Sequence, residues 1–369
     1  MQRKGANGKD LLLRRNCRTR RSCRRHFVLH CFWNGLNSSV AGLEARQSDG
    51  LVVHRARITS HLWPILLCCA AFFCAKGRAE ELRAAPQVIA AADQTYSGDL
   101  EGGRTAALRM QEEQPEHPIG YLLEAEALWW KIWCTSAEFK YGMTFPRHRA
   151  KLPADRHYFE LAAKASALAE KKIAEHDSAE MEFYAGMGDA LASRLYGLRG
   201  EGRNTARAGV RAREHLLRAI ALDADLADAD LGLGLYNYYI DTLSAAARVL
   251  RFFMGIPSGS KKEGIRQLQH AIDKGVLVPP EARFYLAINL HNYDQQYERA
   301  LEIISPLTEK YPSNALFQLA RGDLFAKLGR KEKARDCYRA AQAALPDDPD
   351  CRKRVQELVR ASLAVLNSD

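Results

Sequence analysis

The chain has 369 residues, 47% of them apolar and 27% charged, the composition of a globular protein with ample material for a core. Its formal net charge of +10 is misleading, because residues 1–79 hold fifteen Lys and Arg against Asp10, Glu44 and Asp49. The remaining body is close to neutral, which argues against a basic nucleic-acid-binding surface there.

Residues 1–52 carry Arg14, Arg15, Arg18, Arg20, Arg21, Arg24 and Arg25, dense enough to neutralise phosphates. Behind them stands the three-part layout of a secretory signal: Arg55 and Arg57, an apolar run over 62–75, and Gly77-Arg78-Ala79 with small residues at −3 and −1 of a cut after Ala79. A nucleic-acid-binding arm upstream of an export signal makes little sense. Residues 1–52 therefore read as a non-native or disordered basic extension and 53–79 as a signal peptide. The apolar run is shorter than the roughly 20 residues that span a bilayer, and an uncleaved short anchor is the alternative. Of nine cysteines only Cys134, Cys337 and Cys351 lie beyond this region. No Cys-x-x-Cys is among them, and the expectation is three unpaired thiols, with a Cys337–Cys351 pair as the alternative in an exported protein.

From Glu80 onward apolar residues return at intervals of three and four with no alternating stretch, so the body over 80–350 is predicted to be all-α. Val88 to Tyr96 and Thr105 to Glu113 make a first hairpin, interrupted by Gly98, Gly102 and Gly103 and stopped at Pro115. A helix opens at Pro118, the favoured proline position, and carries Trp129, Ile132 and Trp133; its partner, Asp155 to Ala174, follows only after residues 134–153. Met181 to Leu195 has its partner, Ala208 to Leu222, beyond the Gly/Arg-rich stretch Gly197 to Arg203. Ala227 to Ile240 waits for Glu263 to Ile272 across residues 241–261. Three successive hairpins thus carry an insertion at one topological point, and regular stacking would align the three along one edge. In the third insertion Leu243, Ala246, Ala247, Leu250, Phe253 and Met254 share one face of a helix over Thr242 to Gly255. That face is expected to be buried against the hairpins; docking a membrane or a partner is the alternative.

Beyond Glu281 the sequence repeats itself at an interval of 34 residues: Ala300 and Ala334, Ile304 and Tyr338, Leu307 and Ala341, Pro312 and Pro346. Gly322 and Phe325 supply a small and an aromatic residue on the first helix of the last unit. In the unit before, Phe284 and Ala287 fit, while Ile288 and His291 stand where a small residue and an aromatic are expected. The period and these positions resemble the tetratricopeptide repeat (TPR). The resemblance implies a helical-hairpin solenoid, a right-handed superhelix with inserted loops and an inserted helix over 80–350. Residues 351–369 would cap it through Val355, Leu358, Val359, Leu363 and Leu366. Over about 45 residues the order Gly232-Leu-Gly234-Leu-Tyr-Asn237, an apolar helix through Phe252-Phe253-Met254-Gly255, then Gly264 to Leu268 and Ala271 is similar to the tetratricopeptide repeat protein 39 family, which again implies a helical-repeat scaffold.

Chemical motifs are missing. There is no His-Glu-x-x-His, Gly-x-Ser-x-Gly or Gly-Lys-Ser/Thr loop. Gly232-x-Gly234 sits inside a helix and reads as close packing. Asp223, Asp225, Asp228 and Asp230 read as helix-start acids in an inter-repeat turn, since no glutamate closes a calcium loop. His291 and Asp294 read as a surface hydrogen bond. No catalytic residue, cofactor or metal ligand is assigned.

What can bind is an aromatic and arginine set: Trp130, Phe139, Tyr141, Phe145, Arg147 and Arg149 around the first insertion, and Tyr236 and Tyr239 before the third. These types dominate interface hot spots. The function expected is an exported, periplasmic or secreted non-catalytic TPR scaffold. It would bind a protein or peptide through its concave face and the insertion-built edge, would not bind nucleic acid, and would meet a membrane only if the signal segment stays uncleaved. The alternatives are a periplasmic enzyme of unknown type and a membrane-anchored TPR adaptor held by residues 62–75.

Overall fold

The computed structural model describes residues 82–140, 142–147 and 149–368. The basic extension and the signal segment lie outside the described residues.

Apart from one β-hairpin the described residues are helical. A short 3-10 turn, Leu82–Ala84, is followed by α1 (Pro86–Ser97), α2 (Leu100–Glu113), α3 (Pro118–Thr135), β1 (Ala137–Lys140), β2 (Met143–Pro146), α4 (Pro153–Glu175), α5 (Ala179–Arg199) and α6 (Gly202–Leu222). Then come α7 (Ala229–Asp241), α8 (Ala245–Phe253), α9 (Lys261–Lys274), α10 (Pro279–Asn292), α11 (Tyr297–Lys310), α12 (Ala315–Lys327), α13 (Lys331–Ala343) and α14 (Pro349–Ser368). Local chemistry sets many of the boundaries. Proline opens α1, α3, α4 and α10, where its missing N–H costs nothing. Asp99, Ser178, Ser260 and Asn314 accept from backbone N–H groups in the first turns of α2, α5, α9 and α12. Gly98 and Gly200 end α1 and α5 in the left-handed conformation.

The helices pack as successive hairpins: α1 with α2, α3 with α4, α5 with α6, α7 with α9, α10 with α11, and α12 with α13. The first helices also touch in order, α3 to α5, α5 to α7, α7 to α10 and α10 to α12. The last step returns to the beginning, because α14 packs on α12 and on α3 and β1. Between α1 and the α11–α12 turn, Asn314 Nδ2 donates to the Tyr96 carbonyl at 2.8 Å and Ser313 Oγ to the Ser97 carbonyl at 2.7 Å. The expected cap at 351–369 is therefore a bridge. It buries Val355, Leu358, Val359 and Leu366, with Leu363 partly buried.

At the centre of this closure is α3, apolar around most of its circumference and buried accordingly. Trp130 is 1% exposed and meets Tyr96 of α1, Phe284 of α10 and Phe317 of α12 edge-on at 6.1, 5.0 and 5.5 Å between centroids. Such pairs exploit the aromatic quadrupole in addition to buried area. In the last two hairpins the 34-residue pattern is a packing pattern: Phe284, Ala287, Ala300, Ile304, Leu307, Phe325, Ala334, Tyr338 and Ala341 are all buried. A Cβ on Gly322 would sit 2.5 Å from Tyr338 Cε1, so only glycine lets α12 and α13 approach this closely. Gly234 faces Gly264 in the same way, which is the close packing of α7 and α9.

Several expectations need correction. The second insertion does not exist: α5 and α6 run through the Gly/Arg-rich stretch and leave only Gly200 and Glu201 between them. The first insertion holds a β-hairpin, with Ala137 opposite Pro146 and Lys140 opposite Met143. Gly142, at φ 70°, stands between the strands in the left-handed conformation that glycine adopts freely. Its backbone is pinned by Thr144, whose N–H donates to Asp323 Oδ2 at 2.6 Å. The third insertion forms α8 as expected, but its tip is bare: Phe252 and Phe253 are 77% and 79% exposed and Met254 is exposed beside them. Cys134 and Cys351 form a disulfide, with Cα atoms 5.5 Å apart, and Cys337 is the buried free thiol among the described residues. His291 is buried against Tyr297, while Asp294 accepts from Tyr238 and Lys261.

Candidate binding site

Side chains from the first helices α3, α5, α7 and α10 surround a cavity of about 480 Å3. Each helix contributes one face at three- and four-residue spacing: Met187, Leu191, Arg194 and Leu198 on α5; Leu231, Leu235 and Tyr239 on α7; Glu281, Phe284, Ile288 and Asn292 on α10. The α6 wall is made of small residues, Ala206, Gly209 and Ala212, and this is what leaves room. Trp129 and Trp133 of α3 complete the apolar lining.

Arg194 is the cation of this wall. It reaches Glu126 of α3 and Glu281 of α10, the latter at 2.5 Å, and its Nε donates to the Tyr158 hydroxyl at 2.9 Å. Its guanidinium also stacks 4.3 Å above the Trp129 ring, whose Nε1 donates to the Tyr285 hydroxyl. Burial, and then the neighbouring Glu126, push the Glu281 carboxyl above its ordinary range. Burial works against the charge on Arg194, but Glu126, Tyr158 and Glu281 together outweigh it and raise its pKa. The arginine charge is thus spent on α3 and α10 and presents little net charge to the cavity.

The rim is built by the two insertions. Phe145 and Pro146 of β2 and Ile256, just beyond α8, all line the cavity, although more than a hundred residues separate them. Tyr236 OH donates to the Pro257 carbonyl at 2.8 Å and so ties α7 to the segment after α8. Tyr238, Tyr239 and Tyr293 meet edge-on around α10. The Tyr239 hydroxyl donates to Asn289 Oδ1 at 3.0 Å, and Asn289 Nδ2 has no hydrogen-bond partner.

Of the residues singled out in the sequence, Phe145, Tyr236 and Tyr239 come together at this cavity. Arg147 lies 4.4 Å over the Phe145 ring, so it belongs to the same rim. Arg149 is exposed beside Gly200, at the α5–α6 turn. Phe139 packs on the core, and Trp130 is part of the core, out of a partner's reach. Tyr141 lies outside the described residues. Arg194, Glu281 and Asn289 were missed, because each falls at an ordinary helix-packing position. The available signal was a charged or amide residue on a face otherwise apolar.

A second cavity, of about 490 Å3, is lined by Glu101, Arg104, Lys131, His157 and Asp348. Its charges are satisfied mutually, with Lys131 to Asp348 at 2.5 Å and Arg104 to Glu101 at 3.2 Å, so it offers less to a ligand. Among the described residues there is no cluster of His, Cys, Asp or Glu fit to hold a metal ion, and no helix long and apolar enough to cross a membrane. The acids of the inter-repeat turn act structurally: Asp228 Oδ1 accepts from the N–H groups of Val276, Leu277 and Val278, its other oxygen takes Arg83 at 2.5 Å, and Asp230 pairs with His270. No protein-family model matches the chain, and no curated protein matches it.

Proposed function

We propose that the chain is a non-catalytic helical-hairpin scaffold of TPR type, acting in the periplasm or outside the cell, that holds a protein or peptide partner at the mouth of the α3–α5–α7–α10 cavity. The observation that carries this reading is the convergence of Phe145, which Arg147 covers from outside, with Tyr236, Tyr239 and Ile256 on one apolar cavity. Four first helices surround this cavity, and its walls carry aromatic side chains. Interfaces favour such pockets for buried anchor side chains. The bare tip Phe252-Phe253-Met254, a few residues before Ile256, extends the apolar surface of the same insertion. Export agrees with the layout of residues 53–79 and with the Cys134–Cys351 disulfide, since such bonds persist in oxidising compartments.

The test is site-specific photo-crosslinking in the native host. A benzophenone side chain at position 145 or 239 should give a discrete protein or peptide adduct, while one at position 218, exposed on α6, should not. An absence of rim adducts, or equal labelling from position 218, overturns the reading.

A further inference from the structure

We infer that the α3–α5–α7–α10 cavity takes an uncharged apolar group, aromatic or branched, that carries a hydrogen-bond acceptor. This rests on the reading of that cavity as a binding site and names what enters it.

Three observations converge. The cavity, at about 480 Å3, falls within the range of roughly 300–1,000 Å3 typical of ligand pockets, and aliphatic and aromatic side chains make up most of its wall. The charges that reach it are already matched: Arg194 is shared between Glu126 and Glu281 and covered by the Trp129 ring. A charged guest would give up its hydration and find no free countercharge. The third is Asn289, on the α10 wall and 1% exposed. Its Oδ1 is taken by the Tyr239 hydroxyl, and its Nδ2 donor is unmatched. Nearly all buried polar groups in folded proteins are paired, and leaving one unpaired costs more than making the bond returns. A guest carbonyl or ether oxygen would complete the amide, while the rest of the guest covers Leu231, Leu235 and Phe284. Both a side chain with its peptide carbonyl and a free neutral small molecule have this chemistry.

Three naphthalene probes titrated into the full chain separate the possibilities by fluorescence. Prodan is uncharged and carries a ketone acceptor without a donor; N-phenyl-1-naphthylamine carries a donor without a carbonyl; 1-anilinonaphthalene-8-sulfonate is an anion. Prodan should bind at one site with a blue shift, at least about tenfold tighter than either of the others. Asn289→Leu should weaken it about five- to tenfold, the worth of one neutral hydrogen bond. Leu235→Trp, which fills the cavity from α7 and leaves Asn289 intact, should abolish it. Equal or better binding of the amine or the sulfonate, or full Prodan affinity in either variant, overturns the inference. Native mass spectrometry of the purified chain then distinguishes the sources: a released small molecule marks a free ligand, and displacement of Prodan by the crosslinked partner marks a segment of that partner. Rim crosslinking that persists without any Prodan binding sinks this inference alone. Loss of both sinks the binding reading with it.

Discussion

The two halves of this protein solve the packing of helical hairpins differently. From α10 to α13 the turns are short and nearly every position of the 34-residue pattern is a packing position, down to Gly322 under Tyr338. From α3 to α9 two insertions intervene, and the interior holds ions: Arg194 with Glu126 and Glu281, and Arg199, whose Nε and one Nη each donate to Asp155 at 2.6 Å. Where the repeat is regular, apolar side chains fill the space between helices. Where it is irregular, space remains for a cavity, and polar groups fix the helices around it. Departure from the 34-residue pattern is thus what leaves the cavity open.

The largest effect should come from the ions. Arg194→Met leaves Glu126 and Glu281 facing each other in a buried wall, and removing one partner of a buried pair costs about 3–5 kcal/mol. Arg266→Ala, which breaks an exposed pair with Glu263 at 2.6 Å, should cost less than about 1 kcal/mol. Denaturant unfolding of both variants checks the contrast; equal losses would mean that the interior ions are no more than surface ions.

Next is the covalent closure. Cys134 and Cys351 are 217 residues apart, so their bond restricts a long loop in the unfolded chain. Reduction, or Cys351→Ser, should cost about 2–5 kcal/mol. Comparing unfolding with and without reductant measures it, and an unchanged midpoint would show that α14 holds α3 without the bond.

The regular half has its own signature, in pH. Burial pulls His291 down to about 4, with Lys327 adding to the effect, and burial pushes the Asp323 carboxyl up to about 7. The signs oppose. Below an unfolded pKa near 6.5 the unfolded chain takes up the His291 proton first, so that contribution is complete above about 6.5 and fades as pH falls toward 4. Asp323 keeps its proton longer in the folded chain, so its contribution is complete below about 3.9 and fades as pH rises toward 7. The His291 swing is about 3 kcal/mol at most and the Asp323 swing about 4 kcal/mol, and the two partly offset one another between pH 4 and 6.5. His291→Phe, which supplies the aromatic expected at that position, should gain on the wild type as pH falls across this window. Asp323→Asn should gain on it as pH rises. Parallel pH curves for the three proteins would refute the pairing.

The smallest effect on stability should come from the tip of α8. Phe252→Ser with Phe253→Ser removes side chains that are already in water, and such changes usually stay within about 0.5 kcal/mol each. Crosslinking yield from position 239 should nevertheless fall if the tip is part of the rim. Unfolding and crosslinking on the same preparation test both halves of this statement.

How much was legible in the sequence follows the same division. The hairpins from α10 onward, the proline start at Pro118 and the stop at Gly98 were readable, because they are local or repeat at a fixed interval, whereas Gly102 and Gly103, expected to extend that break, lie inside α2. The β-hairpin was missed, although Ala137 and Phe139 and then Met143 and Phe145 alternate across a glycine turn, because two four-residue strands give too short a signal beside helices of twenty. The Gly/Arg-rich stretch after Leu195 suggested a loop, yet α5 continues to Arg199, whose buried bond to Asp155 outweighs the weak helix propensity of Gly197. Of the residues that line the cavity, Phe145, Tyr236 and Tyr239 had been singled out by residue type, and Arg194 and Asn289 had not.

The sequence by itself determined a mainly helical body and the order of its hairpins, since amphipathic spacing and caps act within a few residues. Closure was decided only in three dimensions. Nothing within either segment says that α14 returns to α3, that Cys134 meets Cys351 or that Trp130 is shared by α1, α10 and α12. The cavity, too, is a tertiary product: it exists because small residues on α6 stand in one lining with large ones on α7 and α10, which the chain brings together from separate segments.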